Sequence, residues 1–205
     1  MKLYYAPGAC SLSAHIVARE AGVPLDLVKV NLGTHRLDDG SDYTKINPRG
    51  HVPALALDDG SLLTEATVIV QFLADQNPAS GLMPVAGTRE RYQVQQWLAF
   101  IATELHKMFS PWLWQKETAA ETVATVKARL AVRFADLDRH LANHQYLTGE
   151  RFTAADAYAF TIVNWVNFVA MDLNAYPSIA AYMSRIAERP SVRAALAAEG
   201  LAKAA

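Results

Sequence analysis

The chain carries a single cysteine, Cys10, between a β-rich run (Lys2 to Ala6, closed by Pro7-Gly8) and a run of helical spacing that opens at Ser11. At such a strand–helix junction the unpaired N–H groups of the first turn and the helix dipole favour an anion. They lower a thiol pKa and raise its thiolate fraction. The local string is Cys10-Ser11-Leu12-Ser13, so serine stands where a redox pair would place its second cysteine. Cycling between two protein thiols is excluded, whereas a mixed disulfide with an external thiol is open. The plainer role for Cys10 is that of a small buried hydrophobe.

Three other groups are candidates for binding or catalysis. In Asn47-Pro48-Arg49-Gly50-His51-Val52-Pro53, Pro53 opens a strand without a donor for the ladder, and Val52-Pro53 is a bond able to be cis. A cis bond would expose the N–H and C=O of Val52 as a clamp for an extended peptide; otherwise Pro53 is an ordinary strand starter. In Thr64-Glu65-Ala66-Thr67, another helix start, free N–H groups suit a carboxylate and Glu65 suits an ammonium. Together they would grip the zwitterionic end of an amino acid; alone, Glu65 is an acidic residue favoured by the dipole. In Glu104-Leu105-His106-Lys107, the positions Ala99, Thr103, His106 and Ser110 form a more polar helical face. His106 there can orient or deprotonate a thiol, or be a satisfied surface residue. The remaining histidines, His15, His35, His51, His140 and His144, are scattered, with His140 and His144 expected exposed at a helix end, and no metal site is expected.

These groups need a scaffold of two kinds. Residues 1–76 alternate strand and helix signals: strand Lys2 to Ala6, helix Ser11 to Ala21 capped by Gly22, and a strand over Leu25 to Val30. An irregular stretch and a hairpin (Pro53 to Leu57, Leu62 to Leu63) around Asp58-Asp59-Gly60-Ser61 come next, then a helix from Glu65 to Asp75. The order β-α-β then β-β-α predicts a mixed sheet, since a crossover gives a parallel pair and a hairpin an antiparallel one. A connector is expected over 77–87, rich in Pro and Gly, and everything from Thr88 on is helical. One core stripe runs Val94, Leu98, Ile101, Leu105, Met108, Trp112, and a second Val123, Val126, Leu130, Phe134, Leu137, Leu141. Thr153 with Asp156 three residues on predicts a capping box, opening an apolar buried helix over Ala154 to Met171. Helices over Tyr176 to Arg189 and Ser191 to Glu199 follow.

Composition narrows the function. The 205 residues hold 19 basic and 20 acidic groups, and 52% are hydrophobic. Residues 1–80 hold 6 basic and 9 acidic groups and residues 81–205 hold 13 and 11, too even a division to name a partner. No clustered basic field exists for nucleic acid or an anionic membrane, and neither is an expected partner. The opening MKLYYAPGACS lacks a signal-peptide core, and the single cysteine fits a reducing compartment, so a cytoplasmic protein is expected.

The chain resembles a glutathione S-transferase, most closely the bacterial beta class, over essentially its whole length. The resemblance rests on KLYYAPGACSLS (Lys2 to Ser13), NPRGHVPAL (Asn47 to Leu55), LTEATVIVQFLAD (Leu63 to Asp75), ATELHK (Ala102 to Lys107) and FTAADAY (Phe152 to Tyr158). It implies a thioredoxin-like N-terminal domain over 1–80, an all-helical C-terminal domain over 88–205, a homodimer, and glutathione as co-substrate with no metal. By the same resemblance, Cys10 faces the glutathione sulfur and Val52, ahead of a cis Pro53, pairs with the tripeptide backbone. Glu65 and Ala66 hold the γ-glutamyl end, while Thr103, Glu104, His106 and Lys107 lie near glutathione, with His106 toward the sulfur. Two positions depart from the family pattern: His35 stands where lysine is common near the glycine end, and Ala99 where asparagine is common beside the sulfur. A lost hydrogen bond of that kind is worth about 1 kcal/mol, a severalfold weakening. The electrophile is expected on an apolar shelf lined by Phe109, Trp112 and Trp165. Three functions compete: a transferase, a thiol-disulfide reductase or peroxidase cycling through a Cys10–glutathione mixed disulfide, and a non-catalytic glutathione-binding stress protein.

Overall fold

Successive residues of β1 (Lys2–Tyr5) point to opposite faces of a sheet, and both faces are buried. The computed structural model describes residues 1–201. β1 runs parallel to β2 (Asp26–Asn31), with Leu3 opposite Leu27, and antiparallel to β4 (Ala54–Ala56), with Leu3 opposite Leu55. β3 (Arg36–Leu37) and β5 (Leu62–Thr64) complete a mixed sheet of order β3-β2-β1-β4-β5. Leu3 and Leu55 face one way, with Leu12, Ile16, Ile69 and Leu73 of helices α1 (Ser11–Ala21) and α2 (Ala66–Asp75) fully buried alongside. Tyr4, Val30 and Ala54 face the other way and form a second cluster with Tyr43 and Val52. Gly22, with φ +68, closes α1, its N–H returning to the last carbonyls. The hairpin turn closes at Gly60, φ +86, with Asp59 accepting from the Ser61 N–H and hydroxyl. β3 is absent from the expected strands; two residues carry no readable alternation.

The helical second unit spans Pro84–Glu188. Thr88 accepts from Arg91 N–H and starts α3 (Arg89–Phe100), which runs through a π-helical turn, Ile101–His106, into α4 (Lys107–Phe109). The expected stripe is correct as far as Leu105 and then changes: Phe109 is fully buried where Met108 was expected, and Trp112 is 44% exposed. The helix stops at Phe109 because Ser110 precedes a proline and is pushed to extended backbone, φ −112 and ψ 126. α5 (Ala120–Leu141) buries Val126, Leu130, Phe134, Leu137 and Leu141, while Val123 is only partly covered. α6 (Ala154–Val163) is buried at every residue, so no stripe is expected of it. It ends earlier than the expected Met171, passing into a 3-10 turn, Asn164–Phe168, where Asn167 Nδ2 donates to the Asn164 backbone and side-chain oxygens. α7 (Pro177–Ala187) packs on α5.

The division of the chain differs from the expected 1–80 and 88–205 in one respect. The first unit comprises Met1–Met83 together with the described part of the segment from Arg189. α8 (Pro190–Ala198) packs on α1, and Arg189 and Ser191 both pair with Glu20 of that helix. Part of the expected connector is also docked: Asn77 Nδ2 donates to the Ala21 carbonyl at 2.9 Å, and Leu82 and Met83 are buried.

Candidate functional site

Strand register brings the first unit's candidates to one end of the sheet. Tyr4 is opposite Ala54 and Ala54 is opposite Thr64, so the end of β1, the start of β4 and the end of β5 coincide. The turn carrying Cys10, the Val52-Pro53 bond and Glu65 extend from those three strand ends. The Cys10 thiol donates to the Val52 carbonyl at 3.1 Å, and Val52-Pro53 is cis. Cys10 occupies the N-cap position of α1, and its carbonyl accepts from the Ser13 hydroxyl at 2.6 Å. Just after it, Ser11 Oγ accepts from the N–H of Ala6 and donates to its C=O, tying the helix start to the strand end.

The segment before Pro53 is anchored from below. Tyr43 Oη and Asn47 Nδ2 both donate to the His51 carbonyl at 2.8 Å, and both side chains are buried. Burial pushes the Tyr43 hydroxyl up to about 12, with the Asn47 contact pulling it down and Tyr4 raising it further. Above the ordinary value of 10.0 the unfolded chain releases this proton while the folded chain keeps it. Its stability contribution is therefore complete below pH about 10 and is lost as pH rises through about 12. Tyr43→Phe is expected to flatten the fall of the urea midpoint across that alkaline window; parallel profiles for variant and parent would refute the assignment.

Glu65 adopts φ +68 at the N-cap of α2, with Ala66 buried behind it. Its carboxylate pairs at 3.1 Å with Arg49, both side chains being exposed. His35, φ +52, lays its ring over Gly50, φ +66. A Cβ at Gly50 would stand 2.6 Å from His35 Cε1, so this close approach requires glycine. His35 Nδ1 is buried with no hydrogen-bond partner among the described residues.

In the second unit the π-helical turn carries Thr103, Glu104 and His106, and a turn of this kind is frequent at functional sites. Thr103 Oγ1 donates back to the Ala99 carbonyl at 2.9 Å; Ala99, Thr103 and Lys107 are exposed. Glu104 accepts from Arg133 of α5 at 2.6 Å. His106 Nδ1 lies 2.6 Å from Tyr158 Oη, and its ring meets Trp165 edge-on at 4.9 Å. Phe109 and Trp165 are buried against each other, and Trp114 extends the cluster toward exposed Phe168. Trp112 has no described ring contact with this cluster. His140, expected exposed, is half-buried against Trp97 with its ring stacked on His144, and burial lowers its pKa.

Sequence reasoning passed over Tyr43, Asn47, Arg49, Arg133, Trp114, Tyr158 and Phe168. Asn47, Arg49 and Tyr158 lie inside the motifs above, but nothing in their spacing announces their partners.

Comparison with known proteins fits this geometry. Residues 8–76 match the family model for the glutathione S-transferase N-terminal domain, and residues 100–190 match that for the C-terminal domain. Glutathione S-transferase GstA of Escherichia coli O157:H7 is 48% identical over 98% of this chain and 100% of its own length. A sphingomonad glutathione S-transferase solved in complex with glutathione is 44% identical with a TM-score of 0.94, over 98% of this chain and 100% of that one. The beta-class enzyme of Sphingomonas chungbukensis is 43% identical with a TM-score of 0.95 over the same shares. The chain belongs to the glutathione S-transferase family. It is a transferase, its mixed sheet is thioredoxin-like, and its structural neighbours include a bacterial beta-class enzyme.

Proposed function

We propose that this chain binds glutathione at the sheet end formed by Cys10, Val52, Pro53, Glu65 and Ala66, and conjugates its thiolate to a hydrophobic electrophile. The observation that carries the reading is the Cys10 thiol at 3.1 Å from the Val52 carbonyl, beside a cis Pro53 and the N-terminus of α2. The backbone of Val52 suits the peptide of an extended tripeptide. Glu65 suits its ammonium, and the first N–H groups of α2 at Ala66 suit its α-carboxylate. His35 is assigned to the glycine end. Thr103, Glu104, His106 and Lys107 are the second unit's contribution, with Ala99 offering no side-chain hydrogen bond.

In the reaction the glutathione thiol gives its proton to solvent, and the thiolate attacks an electrophilic carbon. A C–S bond forms, and the leaving group departs with its electron pair. Phe109, Trp112 and Trp165 are proposed to line the electrophile's shelf. No described helix is long and apolar enough to cross a membrane. A cytoplasmic homodimer, acting in detoxification without a metal, completes the reading.

The test combines calorimetry with glutathione, conjugation of a chlorodinitrobenzene, and intact mass after incubation with oxidised glutathione. Glu65→Gln is expected to weaken glutathione binding about tenfold, one charge-assisted hydrogen bond. Unchanged affinity would overturn the site. Cys10→Ala is expected to keep conjugation. A stoichiometric, dithiothreitol-reversible adduct on Cys10, with conjugation lost in Cys10→Ala, would replace transfer by thiol-disulfide exchange.

A further inference from the structure

In a planar trans peptide the carbonyl of one residue and the N–H of the next point in opposite directions. The cis bonds among the described residues are Val52-Pro53 and Ser110-Pro111, so His51-Val52 is trans, and whatever fixes the His51 carbonyl aims the Val52 N–H. That carbonyl is fixed twice. Tyr43 Oη and Asn47 Nδ2 both donate to it at 2.8 Å, which engages both of its lone pairs. The next carbonyl, that of Val52, accepts from the Cys10 thiol. Val52 is 8% exposed, and its N–H has no hydrogen-bond partner among the described residues. A nearly buried backbone donor left open is uncommon in folded proteins, and an acceptor on a ligand completes it.

The two donors are themselves held in place, and all of these residues belong to the first unit. Tyr43 is fully buried at the start of the 3-10 turn Tyr43–Lys45, its ring 5.4 Å from that of Tyr4. Its N–H donates to the His35 carbonyl at 2.9 Å, and its carbonyl accepts from the N–H groups of Ile46 and Asn47. Asn47 is buried as well. Its Oδ1 accepts from the Arg49 N–H at 3.2 Å, and its carbonyl accepts from the Gly50 N–H at 2.8 Å. Burial keeps the Tyr43 hydroxyl protonated, hence a donor, throughout the neutral range. Two donors on a carbonyl also draw electron density to its oxygen, which makes the N–H of the same peptide a stronger donor.

We infer that Tyr43, together with Asn47, is a positioning residue for glutathione: by holding the His51 carbonyl it aims and polarises the Val52 N–H, which receives a peptide carbonyl of the tripeptide. This rests on the reading of Val52 given under the proposed function. The contact is far from the bonds that form and break, so it is equally strong in the ground state and in the transition state. Its loss therefore weakens binding and leaves the chemical step alone.

Tyr43→Phe removes the hydroxyl and leaves the ring and the backbone bond to His35 in place. It is expected to weaken glutathione binding about fivefold by calorimetry, to raise glutathione KM in step, and to keep kcat within about twofold. Val30→Ala loosens the same buried cluster without touching the His51 carbonyl, and so measures a purely structural loss. It is expected to lower the urea midpoint while glutathione affinity stays within about twofold of the parent. A fall in kcat with KM unchanged in Tyr43→Phe, or an equal loss of affinity in Val30→Ala, would overturn the positioning role. The second readout needs no ligand. The carbonyl ¹³C resonance of His51 is expected to move upfield in Tyr43→Phe, and an unmoved resonance would refute the polarised peptide. A parent chain that binds no glutathione overturns the proposed function and this inference together. A parent that binds, with Tyr43→Phe binding equally well, overturns this inference alone.

Discussion

Replacing Asp156 by alanine is expected to cost about 3–5 kcal/mol of stability, enough to leave a large part of the protein unfolded at moderate temperature. The carboxylate is fully buried and accepts four hydrogen bonds: from the Leu147 N–H at 2.9 Å, the Thr153 N–H at 2.7 Å, the Thr153 hydroxyl at 2.8 Å and the Tyr182 hydroxyl at 3.0 Å. Alanine strands those donors in the interior, each costing roughly 1 kcal/mol, the low end of the penalty for a buried group left unsatisfied. Burial raises the Asp156 pKa, and the four donors only partly oppose it. A carboxyl raised in the folded state contributes most below its unfolded value, and that contribution is lost as pH rises through the folded one. Asp156→Asn is thus expected to lose less than alanine and to remove the decline with rising pH that sets in above the ordinary carboxylate value. Urea unfolding followed by circular dichroism decides it: a midpoint for Asp156→Ala within about 0.5 kcal/mol of the parent would refute the accounting.

The second large effect is expected at Glu199. Its side chain is fully buried and joins two parts of the first unit: one oxygen accepts from the Gly8 N–H at 3.0 Å, and the other meets His15 Nδ1 at 3.0 Å. Arg19 Nε donates to His15 Nε2 at 2.8 Å, so the histidine is the Nδ1–H tautomer, donating to the carboxylate. Glu199→Ala removes the acceptor of both donors and leaves the Arg19 charge without its counterpart across the ring, at about 3–5 kcal/mol. Glu199→Gln keeps one acceptor and should lose roughly half as much. Because Gly8 precedes Cys10 by two residues, the amide protons of the Cys10 turn are expected to exchange faster in the alanine variant. Unaltered exchange there, with an unaltered urea midpoint, would contradict the assigned role.

The legible parts of this protein are those written in local pattern. The β1 and α1 runs, the Gly22 cap, the Asp59-Gly60 turn and the Thr153/Asp156 box all have their cause within a few residues of themselves. The stripe through Val94, Leu98, Ile101 and Leu105 was readable too. Its continuation failed at Met108 because helix termination before Pro111 is a local backbone effect that periodicity ignores. The convergence of Cys10, Val52 and Glu65 could not come from spacing, since it depends on the register Tyr4 to Ala54 to Thr64, and was inferred from resemblance. Tyr158 against His106 and Glu199 against His15 are pairings across 52 and 184 residues. Each partner viewed alone is an unremarked aromatic or acidic residue. Placing α8 with the helical half was natural for the same reason: nothing in its sequence tells which surface will cover it.

The pairing of Glu20 and His15 with the segment beyond Arg189 makes the second unit an insertion within the first. Synthesis on the ribosome is vectorial, so α1 emerges long before the residues that will satisfy its buried polar groups. The whole of Pro84–Glu188 is made in between. During that interval His15 and the Gly8 turn lack their acceptor, and the nascent first unit waits half-finished. Its completion is coupled to the arrival of α8, so a premature stop before Arg189 would release a chain whose thiol-bearing end never consolidates.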